Sequence, residues 1–197
     1  MKINRVIASA LCALSLLLSS CSIKQAISLK DCTYDYDKIS DITFNGMTMS
    51  ELRSISGIAK LSKFMVKPTE DAMLGFTVHM KVTNPNNGVA SLERLFYTVA
   101  LDSIEVGEGY SAEPFSVLGG ATADLPLKVK VSLNQLLSSE ARPTMIKTIK
   151  NLMGRGDVPT VVTVNLRPVI RVGTVALGIP KAIPLRFNYG GKEDPSL

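Results

Sequence analysis

Phe76-Thr77-Val78-His79-Met80-Lys81-Val82 alternates large apolar side chains with polar ones. Successive side chains of an extended strand point to opposite faces, so the run reads as a half-buried strand. Phe76, Val78, Met80 and Val82 face a core, and Thr77, His79 and Lys81 face away from it. The same period of two returns in Leu95, Tyr97, Val99 and Leu101, and in Leu125, Leu127, Val129 and Val131 set against Lys128 and Lys130. It returns again in Val162, Val164 and Leu166, in Ile170 and Val172 around Arg171, and in Ile183, Leu185 and Phe187. Lys38 to Phe44 reads as a further strand in which Ile42 and Phe44 are in phase and Ile39 is not, which predicts a bulge. Asn84-Pro85-Asn86-Asn87-Gly88 stops the first strand, because Asx side chains bond their own backbone, Pro85 fixes φ and Gly88 is permissive. Strands joined by turns, largely without crossover helices, predict an antiparallel immunoglobulin- or fibronectin III-like β-sandwich rather than a parallel α/β sheet.

Two stretches break the alternation. Leu52, Ile55, Ile58 and Ala59 recur at helical spacing, so a short amphipathic helix is expected between Ser50 and Met65, capped by Ser50 and weakened by Gly57. Leu136, Leu137, Met145, Ile149, Leu152 and Met153 suit a helix within 133 to 153, divided or started by Pro143 and ended by Gly154.

The chain has 197 residues, 46% of them hydrophobic and 20% charged, which suits one globular domain and excludes a disordered chain. Its single histidine, His79, leaves no material for an imidazole-built metal site or a second relay. At the N-terminus Lys2 and Arg5 precede an apolar run from Val6 to Leu18, then Leu18-Ser19-Ser20-Cys21, which is the three-part plan of a secretory signal. The run is too short to read as a membrane-spanning helix of about 20 residues. The chain therefore divides into a signal peptide at 1–20, a tether at 21–33, the domain at 34–190 and a tail at 191–197. Losing Lys2 and Arg5 with the signal lowers the formal charge from +5 to +3. With no run of Lys or Arg, no nucleic-acid partner is expected. Cys12 leaves with the signal, and no disulfide framework is expected for Cys32.

Leu18-Ser19-Ser20-Cys21 resembles the lipobox of bacterial lipoproteins. The resemblance implies a thioether-linked lipid on Cys21 and cleavage after Ser20. Two or more acyl chains anchor stably where one is marginal. Ser22 after the cysteine points to the outer membrane, facing the periplasm. A second resemblance lies in Thr77-Val78-His79-Met80-Lys81-Val82-Thr83-Asn84-Pro85-Asn86, followed by Leu92, Leu95, Tyr97, Val99, Leu101 and Asp102, then Gly107 or Gly109. This order is similar to the type 2 late embryogenesis abundant family, which implies a fibronectin III-like sandwich, no catalytic residues, and stress-protective or membrane-attached roles.

Individual residues add little chemistry. His79, with no acid beside it on its own strand, is expected to be solvated. Asp35, Asp37 and Asp41 lack the spacing of a calcium loop and read as an acidic edge. Gly107-Glu108-Gly109 reads as a turn, since Glu108 would repel a phosphate. Arg155-Gly156-Asp157 spells an adhesion tripeptide by chance, and Ser138 and Ser139 have no base nearby in sequence. The expectation is a non-enzymatic envelope lipoprotein without metal or cofactor, held at a membrane through Cys21 and acting as a stress-protective, scaffolding or binding module on envelope proteins or lipid. The alternative is a carrier of lipid or another apolar ligand, with Met145, Ile149 and Met153 either lining a cleft or closing the core.

Overall fold

The strand that opens the argument runs from Met73 to Thr83 and sits second from the end of a four-stranded antiparallel sheet. The computed structural model describes residues 29–52, 54–66, 72–111, 113–133, 140–172 and 174–191. The signal segment, Cys21, most of the tether, Ser138, Ser139 and the tail after 191 lie outside the described residues. The first sheet has the order β2-β1-β3-β8, from β1 (Thr33–Phe44), β2 (Met47–Thr48), β3 (Met73–Thr83) and β8 (Thr122–Ser132). The second joins β10 (Val175–Gly178), β9 (Thr160–Val172), β5 (Arg94–Leu101) and β6 (Ile104–Ser111), with β11 (Ile183–Tyr189) also on β9. Two short strands, β4 (Ala90–Leu92) and β7 (Phe115–Val117), pair with each other.

The alternation predicts the buried faces. Val78, Val82, Leu127, Val131, Val99 and Val164 have no measurable exposure, and the inward positions of both sheets belong to one apolar cluster. Burying each such side chain contributes about 1.5–3 kcal/mol. The sheets also meet at their edges. Tyr36 of β1 stacks on Phe187 of β11 with centroids 4.1 Å apart, and the Tyr97 hydroxyl of β5 donates to the Lys128 carbonyl of β8 at 2.5 Å. The result is a mainly antiparallel β-structure with partly curled sheets and few helices.

β1 starts earlier than the sequence predicts and carries two irregularities, between Tyr36 and Lys38 and between Ser40 and Thr43, the second containing Asp41 at φ +52°. The helix expected from Ser50 is two helices, α1 (Met49–Leu52) and α2 (Ile55–Val66), and Ser50 lies inside the first. Thr48 takes the capping role: its amide and hydroxyl both donate to the Glu51 carboxylate, at 2.7 and 2.8 Å, which is half of a capping box. Ser54 starts α2 by accepting from the Gly57 amide at 3.1 Å. A Cβ on Gly57 would lie 2.2 Å from the Glu51 carbonyl, so glycine is what lets the second helix fold against the first. The later helical stretch gives α3 (Arg142–Leu152), with Pro143 in its first turn and Gly154 at φ +67° beyond its end.

The elements also set the two ends of the molecule. At one end α3 docks on β9 and β5, where the Lys147 ammonium pairs with Asp102 and the Asn151 amide donates to Thr160 Oγ1 at 2.9 Å. At the other end Thr33, Thr83 and Thr122 begin or end β1, β3 and β8 in register. There the turn after Thr83 is organised by Asn84.

Candidate functional site

Polar chemistry concentrates on the outward face of the first sheet, where neighbouring strands bring residues far apart in sequence into contact. His79 of β3 is not solvated as its own strand implies: its side chain is only 16% exposed. Nδ1 donates to the Asp124 carboxylate of β8 at 2.8 Å, and Nε2 lies 2.9 Å from Ser40 Oγ of β1. The missing partner is supplied across the ladder, one pair over, where Asp124 faces Lys81. A reading confined to one strand has no access to that register. Ser40, His79 and Asp124 follow the order of a hydrolytic relay. However, the single hydroxyl proton of Ser40 has a competing acceptor in Asp41 Oδ2 at 2.8 Å. What the geometry accomplishes is to tie three strands together.

The acidic edge is tied down in the same way. Asp37 pairs with Lys81 at 2.5 Å, and the hydrogen bond from that ammonium holds its carboxyl below the usual aspartate range. Asp41 is lowered by hydrogen bonds from Ser40 and Thr77. Among the described residues no three His, Cys, Asp or Glu side chains converge on a metal position. A folded value below the unfolded one stabilises above the unfolded pKa and is lost as pH falls through the folded value. Acidification below the ordinary aspartate range near about 4 is therefore expected to loosen β1 before the β5–β9 ladder, read as faster amide exchange at Asp37 to Ser40. His79→Ala should produce the same loosening at neutral pH, at about 1–2 kcal/mol.

A second feature lies on the outward face of the other sheet. Phe96 and Tyr110 are 43% and 66% exposed, and their rings tilt together at 6.4 Å. With Arg167, Pro168, Glu108 and Ile179 they border an open cleft of about 620 Å³. The sequence signal for it is faint: Phe96 and Tyr110 are aromatic residues at positions where the alternation calls for polar ones. Gly107-Glu108-Gly109, expected as a turn, lies within β6 instead. Its glycines serve close packing, since a Cβ on Gly109 would sit 2.5 Å from the Tyr97 ring and one on Gly107 3.0 Å from the Lys130 carbonyl.

Met145 and Ile149 close the core, and the space left beside Ile149, Leu152 and Met153 is about 20 Å³, too small for an acyl chain. Cys32 is buried, and burial together with Asp31 pushes its thiol up, away from the reactive thiolate. Arg155 and Asp157 are exposed on the loop after α3, where Gly156 lies against Asn151.

An antiparallel β-domain whose polar side chains clamp strands and whose cleft is aromatic has the character of a binding or protective module. The late embryogenesis abundant protein family, LEA type 2, matches residues 79–182, and the chain belongs to that family. No curated protein matches it. Among solved structures it is similar to a protein from Archaeoglobus fulgidus, at 15% identity over 80% of this chain and 98% of that one, TM-score 0.39. A putative late embryogenesis abundant protein shares 14% identity over 98% of this chain and 91% of its own, TM-score 0.41. A protein from Arabidopsis thaliana shares 17% over 58% and 70%, TM-score 0.34. Membership in this family points to a stress-related role.

Proposed function

We propose that this chain is a lipoprotein of the cell envelope: a non-enzymatic stress-protective or scaffolding module, fibronectin III-like in its sandwich, held at a membrane by lipid on Cys21. The observation that carries the reading is the conjunction of Leu18-Ser19-Ser20-Cys21 with a domain of the late embryogenesis abundant family. Tethering raises local concentration, so weak contacts with envelope proteins or lipid become effective at one surface. Ser22 fits sorting to the outer membrane, facing the periplasm, and the lack of a basic run argues against a nucleic-acid partner. Ion pairs and hydrogen bonds absorb the polar groups of the first sheet, which supports a role without catalysis.

The test is chemical. Wild-type protein is expected to carry an acyl mass on Cys21 and to stay with membranes, whereas Cys21→Ser takes up no fatty acid and leaves the membrane fraction. Wild-type material that is unacylated and recovered free of membranes would overturn the reading. Protection is read separately, as activity retained by a labile enzyme dried with and without the protein.

The carrier reading keeps one supporting observation, the cleft bordered by Phe96 and Tyr110, since the α3 region is filled. A lipid co-purifying reproducibly with gently extracted protein, and lost in Phe96→Ser, would favour it.

A further inference from the structure

The end of the molecule opposite α3 combines three features. First, β1 begins there: Thr33 pairs with Thr83, so the segment that follows Cys21 enters the domain at this end. Second, exposed apolar side chains gather there. Gly120 donates to the Asn84 and Asn86 carbonyls, which sets the turn carrying Leu118 against the turn leading to Val89, and these residues are 66% and 39% exposed. The β4–β7 pair follows directly. Glu93 next to it donates its amide to Val169, which places the far end of β9 and its partner β10 at the same end. All four residues of β10 are exposed, Val175 at 55% and Leu177 at 46%, and Leu177 continues the face of Ile170 outward beyond the core. Third, charge is lopsided. From Val158 to Lys192 the sequence holds Arg167, Arg171, Lys181, Arg186 and Lys192 and no acidic residue, which matches the +5 of the entire chain. Arg167 and Lys181, on either side of β10 in sequence, are both exposed.

We infer that this end is a membrane-docking surface, on which Leu118, Val89, Val175 and Leu177 enter the interface of a bilayer containing anionic lipid. The inference rests on the membrane-tether reading and deepens it: the lipid holds the domain within reach and this end sets its orientation. Apolar side chains supply insertion depth, and each Lys or Arg near an anionic surface adds attraction that falls off within a Debye length. Glu93 lies at the base of this surface beside Arg94, so charge alone does not hold the domain and the apolar tips are required.

The chain contains no tryptophan, so a single introduced indole reports one position. Acylated Leu118→Trp, Leu177→Trp and Met73→Trp proteins are reconstituted into vesicles of phosphatidylcholine with or without phosphatidylglycerol. Met73, at the α3 end, is 39% exposed and serves as the reference. Expected is a blue-shifted emission, quenched by brominated lipid, for 118 and 177 in the anionic vesicles and for neither in phosphatidylcholine alone, with position 73 unchanged in both. Removing charge by Arg167→Gln with Lys181→Gln should weaken the docked fraction about tenfold or more. Equal emission at all three positions, equal response in the two lipids, or a shift produced by added envelope protein and not by lipid would overturn the inference. A missing acyl mass on Cys21 would instead refute the tether reading, and it is read independently from the same preparation.

Discussion

Asn84→Ala is expected to lower the unfolding free energy by about 3 kcal/mol, read as a lower urea midpoint at unchanged slope. Asn84 is fully buried, although it sits in a turn. Its side-chain amide donates to the Gly88 carbonyl at 2.7 Å and the Val117 carbonyl at 3.1 Å, and Oδ1 accepts from the Asn86 amide at 3.1 Å and from Asn86 Nδ2 at 3.0 Å. Its backbone is held as well, donating to Ala121 and accepting from Gly120. One side chain therefore satisfies groups on two loops that have no ladder of their own. Each buried group left without its partner costs about 1–3 kcal/mol, so the losses accumulate while little apolar area changes. Asn84→Asp removes the amide donors and places a carboxylate against the carbonyls of Gly88 and Val117, so it should be at least as damaging. Asn86→Ala, at a partly exposed position, should cost less than 1 kcal/mol. Were all three equal, the burial argument would fail.

Asn84 also shows what the sequence discloses. The Asn-Pro-Asn turn is legible because Asx, Pro and Gly chemistry is local, and the strands are legible because burial on one face imposes a period of two. Phe76, Val78, Met80 and Val82 are all buried for that reason. Registers are not local. That His79 meets Asp124 and Ser40, 45 and 39 residues away in sequence, follows from which strands are neighbours and how they are offset. The two glycines of β6 mislead for a related reason: Gly109 is small because the Tyr97 ring occupies the space its side chain would fill. The split between α1 and α2 was partly visible, since Thr48-x-x-Glu51 is a capping pattern as clear as any at Ser50. The Phe96 and Tyr110 cleft was visible only as a violation of alternation, and such violations are where surface function is to be sought.

Gly190→Ala should be the costlier of the glycine substitutions, at about 4 kcal/mol, for two separable reasons. Gly190 follows β11 at φ +72°, a conformation that costs an L side chain about 1–2 kcal/mol. An alanine Cβ there would also lie 2.5 Å from the Asn151 Cβ. Asn151 has little room to move: it is fully buried, and its amide is committed to the Val158 carbonyl and to Thr160 Oγ1, both at 2.9 Å. Shifting it would break the bonds that fix α3 to the start of β9, while the crowded side chain is itself embedded in the closing end of the core. Gly154 supplies the control. Its φ is +67°, almost the same, but open space surrounds the position where a Cβ would go. Gly154→Ala should therefore cost about 1–2 kcal/mol, the backbone strain alone. The difference between the two substitutions, measured by thermal or urea unfolding, isolates the collision with Asn151. If the two cost the same, Asn151 yields freely, and its hydrogen bonds to Val158 and Thr160 do not hold the helix in place.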